Sequence, residues 1–290
     1  MLMDIVPQLI ANSIIAGSIY MLLAIGFNLL FSTVKFFDLG FGAMTAVGAY
    51  AVFYFGKTLG LPTFAAIAIG IVLAGLVGFL VGRFIYKPLK KRKASSLVTL
   101  VASLGVLTAL QAIVAILFTS QFQTLSRNVG SQRVFDIFGG IITEIQLIIL
   151  VTGIVVMILL ALILKFTMFG KAIKAIGDDE EVSQIVGINT EKVIGWVFFI
   201  CSAIGGLAGI LVGFDTGIEP TMGLSLLLKG VIAAIIGGIG NVYGGPVGAF
   251  FLGFVENFGI WKISGEWKDA IAFGVLILFL LFRPQGILKR

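Results

Sequence analysis

The chain has no histidine among its 290 residues. The side chain that most often serves as metal ligand or general base is therefore missing. A single cysteine, Cys201, lies inside an apolar run, which excludes an intrachain disulfide and offers no thiol redox pair. Charge is scarce as well, with Asp, Glu, Lys and Arg together making up 12% of the sequence. No Gly-x-x-x-x-Gly-Lys-[Ser/Thr] loop occurs, so the chain on its own cannot cradle nucleotide phosphates. The run "GGIGNVYGG" (Gly237 to Gly245) follows an apolar helical stretch and not a strand, so it is no dinucleotide loop. There is no Cys/His cluster, no Ser-His-Asp set and no close pair of intramembrane carboxylates. Neither covalent catalysis nor a metal or organic cofactor is expected.

What is present is apolar. Hydrophobic residues supply 59% of the chain, with 38 glycines and 26 phenylalanines, and the mean hydropathy is +1.14. Uncharged runs of about 20 residues, at roughly 1.5 Å rise each, span a hydrocarbon core about 30 Å thick. The expected fold is all-α, a polytopic transmembrane helical bundle with about eight membrane segments in one domain, residues 1–290. The segments are 5–33, 40–57, 62–86, 97–118, 145–165, 192–214, a broken pair at 224–239 and 246–260, and 269–283. The opening "MLMDIVPQLIANSIIAG" has an acid and no basic stretch, and reads as a mature first span and not a cleaved signal.

The net charge of +6 does not point to nucleic acid, because the bases sit beside the spans. With the N-terminus outside and the spans alternating, fourteen bases are cytoplasmic: Lys35, Arg83, Lys87, Lys90, Lys91, Arg92, Lys93, Lys165, Lys171, Lys174, Lys192, Arg283, Lys289 and Arg290. Five fall outside (Lys57, Arg127, Arg133, Lys262 and Lys268), and Lys229 lies within a span. Bases favour the cytoplasmic loops of membrane proteins, so the asymmetry sets the orientation.

The broken pair surrounds "GGIGNVYGGPVG", Gly237 to Gly248, which is dense in helix breakers. Two readings stand: a tight hairpin between two short helices, or a re-entrant pair beside a substrate path. A second interruption falls at Asp38–Gly42. The polar candidates for a pathway are Asn28, Asp38, Gly42, Thr45, Gly240 and Glu256, with Asn12 and Ser13 beside them. Glu256 is the acid placed well inside a span, which is either a functional group or half of a pair with a neighbouring helix. Gly70, Ala74, Gly78 and Gly82 recur every four residues, as do Gly205, Gly209 and Gly213, the spacing that lets membrane helices approach closely. Bulk at Gly42 or Gly240 is accordingly expected to block transport more than bulk at Gly78. The polar segment 119–144 is too hydrophilic to span, and Arg133 to Ile137 suits a short strand or an interfacial helix. It reads as an outer loop, with a lid or docking surface as the alternative.

One segment breaks the rule of low charge. "GKAIKAIGDDEEVSQIVGI", Gly170 to Ile188, holds two lysines and four consecutive acids. Asp178 suits an N-cap with Glu181 three residues on, and Gly187 suits a C-terminal stop, predicting a helix over Asp179 to Val186. Val182, Ile185 and Val186 then share one face. A preceding turn, Lys171 to Ile176, ends at Gly177. The result is a charged knuckle with an apolar stripe, suited either to a groove on a soluble partner or to the membrane surface.

This segment continues as "FGKAIKAIGDDEEVSQIVGINTEKVIGWVFFICSAIGGLAGILVG", Phe169 to Gly213. It resembles the cytoplasmic loop and following helix of the branched-chain amino acid ABC-transporter permease family. "KGVIAAIIGGIGNVYGGPVGAFFLGFVE", "LLFRPQGILKR" and "ANSIIAGSIYMLLAIGFNLLFSTVKFFDLGFGAMTAVGAYAVF" resemble that family's glycine-rich segment, closing motif and first two helices. The resemblance implies a permease subunit of an ATP-driven importer in the cell (inner) membrane, surrounded by lipid and carrying a small-molecule substrate. Its implied partners are a homologous second permease subunit, two cytoplasmic ATP-binding subunits and an extracytoplasmic substrate-binding protein, with no nucleic acid. Residues 166–191 would be the cytoplasmic coupling loop, with Gly170, Ala172, Ala175, Asp178, Glu181, Ile185, Gly187 and Ile188 as its ATPase-coupling residues. Where the family commonly reads Asn-Phe-Ala-His-Gly-Glu, this chain reads "DLGFGA", Asp38 to Ala43, so other amino acids, amides or urea stay open as substrates. A stand-alone secondary transporter or channel is the alternative, and the scarcity of intramembrane carboxylates weighs against it.

The orientation can be checked directly. Single cysteines at Ser95 and Ser183, on a Cys201→Ala background, are expected to resist impermeant thiol reagents in intact cells. Ready labelling from outside overturns the assignment.

Overall fold

The computed structural model describes residues 2–126, 133–137, 139–261 and 263–288. Arg127, Lys262, Lys289 and Arg290 of the charge count lie outside them. In hydrocarbon a backbone must bond to itself, so the apolar runs become helices. They are α1 (Leu2–Val34), α2 (Gly40–Val52), α3 (Thr63–Val81), α4 (Lys87–Lys91), α5 (Ser96–Phe118), α6 (Glu144–Phe166), α7 (Met168–Asp178), α8 (Glu180–Ile185), α9 (Thr190–Asp215), α10 (Met222–Gly237), α11 (Gly244–Gly259) and α12 (Lys268–Phe282). A π turn at Phe53–Thr58 lengthens α2, and another at Gly82–Tyr86 carries α3 into α4.

Among the described residues, five stretches are long and apolar enough to cross a membrane: Ile5–Val34, Thr63–Lys91, Ser96–Phe118, Glu144–Phe166 and Thr190–Asp215. The α2 segment, α10, α11 and α12 are shorter helices at the remaining expected positions. The chain is a polytopic helical membrane protein. The polar segment contributes a small antiparallel pair, β1 (Val134–Ile137) and β2 (Gly140–Thr143), which decides for strand over interfacial helix.

The chain divides into two units. The first comprises Met1–Asn28, Ser126–Met157 and Leu228–Arg290, and the second Leu29–Leu125 and Ile158–Leu227. In the first unit the Gln8 amide ties β2 to α1, donating to the Ile141 carbonyl at 3.0 Å and accepting from its N–H at 2.7 Å. Helices α1 and α11 meet through glycine: a Cβ on Gly17 would stand 2.6 Å from the Phe250 ring, and one on Gly253 would stand 2.9 Å from the Gly17 nitrogen. Downstream of α12, the Ile287 and Leu288 amides donate to the Ile236 and Gly237 carbonyls at 2.8 and 3.1 Å. The closing motif thereby caps the end of α10.

In the second unit α2, α3 and α9 form a seam of small residues. A Cβ on Gly48 would lie 2.7 Å from Gly206 Cα, and one on Gly70 would lie 2.9 Å from the Gly48 carbonyl oxygen. A Cβ on Gly209 would collide with the Thr45 backbone, and one on Gly78 with the Ser202 side chain. Without water to drive apolar burial, such contacts replace the hydrophobic effect as the source of cohesion. Gly42 belongs to the same class. A Cβ there would stand 2.6 Å from the Gly223 carbonyl oxygen and 2.9 Å from Leu227 Cβ. Gly42, like Gly78, thus sits at a close helix contact. The interruption also lies three residues earlier than expected, in Lys35–Leu39, with Lys35 at φ 60° and α2 already begun at Gly40.

The charged knuckle differs in detail from its sequence pattern. Residues Lys171 to Ile176 form no isolated turn, because α7 runs unbroken from Met168 to Asp178, capped by the Thr167 hydroxyl on the Gly170 N–H at 3.0 Å. Asp178 is consequently the last residue of α7, and the N-cap of α8 moves to Asp179, whose carboxylate accepts from the Val182 N–H at 3.0 Å. Helix α8 is six residues long instead of eight. Gly187 does provide the stop. At φ +89° it donates to the Gln184 carbonyl while Ile188 donates to that of Ser183, both at 3.0 Å, a Schellman pair. Ser183 is buried, so Ile185, 83% exposed, is the better cysteine position for labelling.

The glycine seam makes a graded prediction. Gly42→Ala and Gly209→Ala overpack a helix contact, at about 1–3 kcal/mol each, and are expected to lower the thermal midpoint of the purified chain by several degrees. Gly105→Ala and Gly274→Ala place a methyl where nothing lies within 4 Å, and should leave it unchanged or slightly raised. Equal midpoints for all four variants would contradict the seam.

Candidate functional site

The six pathway candidates separate between the units. In the first, α10 and α11 are both 16 residues long and joined by Gly238–Tyr243. They run as a close pair, since a Cβ on Gly237 or Gly244 would strike the other's carbonyl. Gly238 at φ +118° and Gly240 at φ +78° turn the chain through conformations that glycine tolerates best. Asn28, fully buried on α1, satisfies the loop that results. Its Oδ1 accepts from the Gly240 N–H at 3.0 Å, and its Nδ2 donates to the Asn241 carbonyl at 3.0 Å and the Gly238 carbonyl at 3.5 Å. Two sequence candidates, Asn28 and Gly240, are thus brought into direct contact. An amide side chain offers a donor and an acceptor in one plane, which is what a freed backbone turn requires.

Glu256 lies fully buried in the same unit. Its Oε2 accepts from the Tyr20 hydroxyl at 2.7 Å, its Oε1 faces Lys229 Nζ at 2.5 Å, and Lys268 stands at 3.9 Å. Lys229 also reaches Asp269 at 2.7 Å. Of the two roles open to Glu256, pairing with a neighbouring helix is the geometry found. Lys229 and Tyr20 were absent from the sequence candidates. The available signal was Lys229 itself, the base counted within a span, which needed an acid at the same depth.

In the second unit Asp38 fixes the connection between α1 and α2. Its Oδ1 accepts from the Tyr86 hydroxyl at 2.5 Å and from the Gly40 N–H at 2.8 Å. Tyr86 stacks on Phe198, centroids 5.4 Å apart, and Ser103 Oγ accepts from the Leu39 N–H at 3.0 Å. The departure "DLGFGA" is therefore interior. Asp38 is an anchor, Phe41 is buried with its ring 3.0 Å from where a Gly205 Cβ would sit, and Thr45 bonds to the Gly42 carbonyl of its own helix at 2.7 Å.

The coupling candidates fall into two sets. Gly170, where any Cβ would strike the Ile163 and Leu164 backbone, and Ala172, Ala175 and Ile188 are partly or wholly covered. Asp178, Glu181, Ile185 and Gly187 are exposed. Helix α7 buries Ile173 and Ile176 and turns Lys171 and Lys174 outward. Helix α8 instead presents Val182 (52% exposed), Ile185 (83%) and Val186 (68%) to the outside. The knuckle is held from beneath by ion pairs, Lys90 with Glu180 on α8 and Lys87 with Glu191 on α9 at 2.7 Å.

A family model described as branched-chain amino acid transport system / permease component matches residues 9–280. The chain belongs to this family. It is a permease subunit and a multi-pass protein of the cell (inner) membrane. BraD of Pseudomonas aeruginosa, a high-affinity branched-chain amino acid transport system permease protein, is 31% identical over 98% of this chain and 95% of its own. LivH of Escherichia coli gives the same identity and coverage. The ribose import permease protein RbsC of Haemophilus influenzae is 28% identical over 88% of this chain and 76% of its own. Among solved structures, PsaBC from Streptococcus pneumoniae in complex with a Fab superposes with a TM-score of 0.53 over 94% of this chain and 91% of that one. At 15% identity that likeness concerns the fold alone.

The Glu256–Lys229 pair supports a stability prediction. Lys229→Met takes the close cation from a buried carboxylate and leaves it Lys268 at 3.9 Å, which costs up to about 3–5 kcal/mol. The pair of changes Lys229→Met and Glu256→Gln removes both charges and is expected to recover most of the lost thermal midpoint. A double variant no more stable than Lys229→Met alone would remove the pair from this role.

Proposed function

We propose that this permease subunit works in an ATP-driven importer of branched-chain or related amino acids. It pairs with a homologous second permease, two cytoplasmic ATP-binding subunits sit below, and an extracytoplasmic binding protein delivers the substrate. ATP hydrolysis belongs to the separate ATPase, for which this chain has no phosphate loop. The observation that carries the reading is the exposed stripe Val182, Ile185 and Val186 on a charged, well-capped knuckle within residues 166–191. An apolar stripe with acids around it suits a groove on a soluble partner. The substrate class follows that of BraD and LivH, permeases of branched-chain amino acid transport systems.

Force entering α8 has a stiff route upward. The Schellman turn at Gly187 leads into α9, whose first turn is capped by Asn189 on the Lys192 N–H at 3.1 Å. The Gln184 amide donates to Thr190 Oγ1 at 3.1 Å, tying α8 to the same turn. From there α9 bears on α2 and α3 through glycine contacts that leave no side-chain slack. Movement of the knuckle therefore moves α9 and its partners together. Among the pathway candidates, Asn28 and Gly240 define the freed backbone turn, and helix ends of this kind are where a zwitterionic solute finds dipoles in place of water. A proton-coupled secondary transporter commonly uses an intramembrane carboxylate, and Glu256 is here paired with Lys229.

Co-purification with the ATPase tests the proposal. Asp179→Ala removes a cap worth about 1 kcal/mol, Gly187→Val forces a β-branched residue to positive φ, and Ile185→Asp charges the stripe. Each is expected to lower ATPase recovery and substrate uptake at unchanged membrane insertion, with Ile185→Asp the most severe. Asp178→Ala leaves the α8 cap at Asp179 in place and should have a smaller effect than Asp179→Ala. Full ATPase recovery in the Asp179→Ala, Gly187→Val and Ile185→Asp variants would refute the coupling role.

A further inference from the structure

Beside the knuckle, the second unit holds a groove of about 900 Å³ that the transport reading leaves unused. Six bases line it, Lys35, Arg83, Lys87, Lys90, Lys91 and Lys192. Against them stand two acids, Glu180 and Glu191, so four positive charges are in surplus. The acids are engaged with Lys87, Lys90 and Lys91. Arg83 and Lys192 are exposed, and no ion pair to either occurs among the described residues. Such a surplus calls for a multivalent anion.

The rest of the lining is of opposite character. Phe36, Phe79, Phe198 and Trp196 form an aromatic wall, with Trp196 itself 55% exposed. The groove opens where α3 unwinds into a π turn at Gly82–Tyr86, and the residue next to Arg83 on that turn, Phe84, is 67% exposed. Leu97, beside the lining residue Ser96 at the start of α5, is 73% exposed. Phe84 and Leu97 stand on Thr63–Lys91 and Ser96–Phe118, two of the membrane-length helices, where an exposed apolar surface suits acyl chains. A soluble phosphate compound would need the bases but not the apolar wall, whereas a ligand with an anionic head and a hydrocarbon tail needs both. Indole at the level of lysine and arginine is also the arrangement found where a protein meets the headgroup layer.

We propose that this groove binds the headgroup of an anionic phospholipid, with Arg83 and Lys192 as its phosphate-contacting bases and Trp196 beside the glycerol region. Fixed on α3 and α9, a lipid there would bridge the two helices at the foot of the knuckle. Anionic lipid is drawn to basic residues next to membrane spans in the cytoplasmic leaflet, where the charge count places this end of the chain.

Trp196 supplies the readout. The full chain, carrying Trp261→Phe and Trp267→Phe so that Trp196 is the remaining indole, is reconstituted in phosphatidylcholine nanodiscs. Phosphatidylglycerol brominated on its acyl chains is added in one series, and phosphatidylcholine brominated in the same way in another. Brominated phosphatidylglycerol is expected to quench Trp196 at a clearly lower mole fraction. Arg83→Gln with Lys192→Gln should weaken that preference by roughly fivefold for each base removed, while Arg83→Lys with Lys192→Arg should retain it. If the double glutamine variant fails to fold, Lys192→Gln alone, on the exposed first turn of α9, gives the single fivefold step. Equal quenching by the two lipids, or an undiminished preference in the glutamine variants, overturns the proposal. Loss of the preference in excess inorganic phosphate would show a free-anion site and overturns the lipid assignment. None of these readings depends on transport, so failure here leaves the importer proposal untouched, and the converse also holds.

Discussion

A backbone amide freed at membrane depth has no water to bond, and much of this chain is arranged around that constraint. The connection Gly238–Tyr243 would leave several such groups open. Asn28 closes the turn from inside, and the closing motif completes the end of α10 through Ile287 and Leu288. At the other interruption Asp38 accepts from Gly40 and Ser103 accepts from Leu39, so the start of α2 is met by side chains where no preceding turn of helix exists. Both breaks are thus served by a buried polar residue whose geometry matches the local turn. A polar side chain inside a membrane protein is costly unless fully used, and each of these is used.

The same absence of water decides how the helices cohere. Lipid tails are as apolar as leucine, so side-chain burial gains little, and close backbone approach takes its place. In the second unit the α2–α3–α9 seam rests on this, and in the first the contacts of Gly17 and Gly253 do likewise. Charge is kept for special duties. Glu256 and Lys229 neutralise one another in the interior, while the knuckle gathers acids at its tip and bases at its foot. That division suits the coupling role proposed for the knuckle, in which force would enter there and pass along α9.

Much of this was legible in the sequence because the governing signals are local. Apolar run length placed each membrane segment within a few residues, and glycine periodicity pointed to the packing faces around Gly78 and Gly209. Gly187 could be read as a helix stop because positive φ after an amphipathic turn is a strong glycine signal. The misreadings share a cause, which is that several residues compete for one role and only the fold chooses. Asp178 and Asp179 are both competent caps, and the persistence of α7 through Gly177 decided for Asp179. Gly42 looked like a break because it sits in a glycine-rich phrase, yet its carbonyl neighbourhood belongs to Gly223, far along the chain. Partners distant in sequence, such as Lys229 for Glu256 and Tyr86 for Asp38, leave no periodic trace.

The bond between the closing motif and α10 also has a consequence in time. Residues Pro284 to Leu288 are synthesised after every helix described here, so the Ile236 and Gly237 carbonyls emerge from the ribosome well before the amides that will satisfy them. Until then the α10–α11 hairpin has two unsatisfied carbonyls at the end of α10. A membrane protein of this design keeps that turn provisional until synthesis has passed α12.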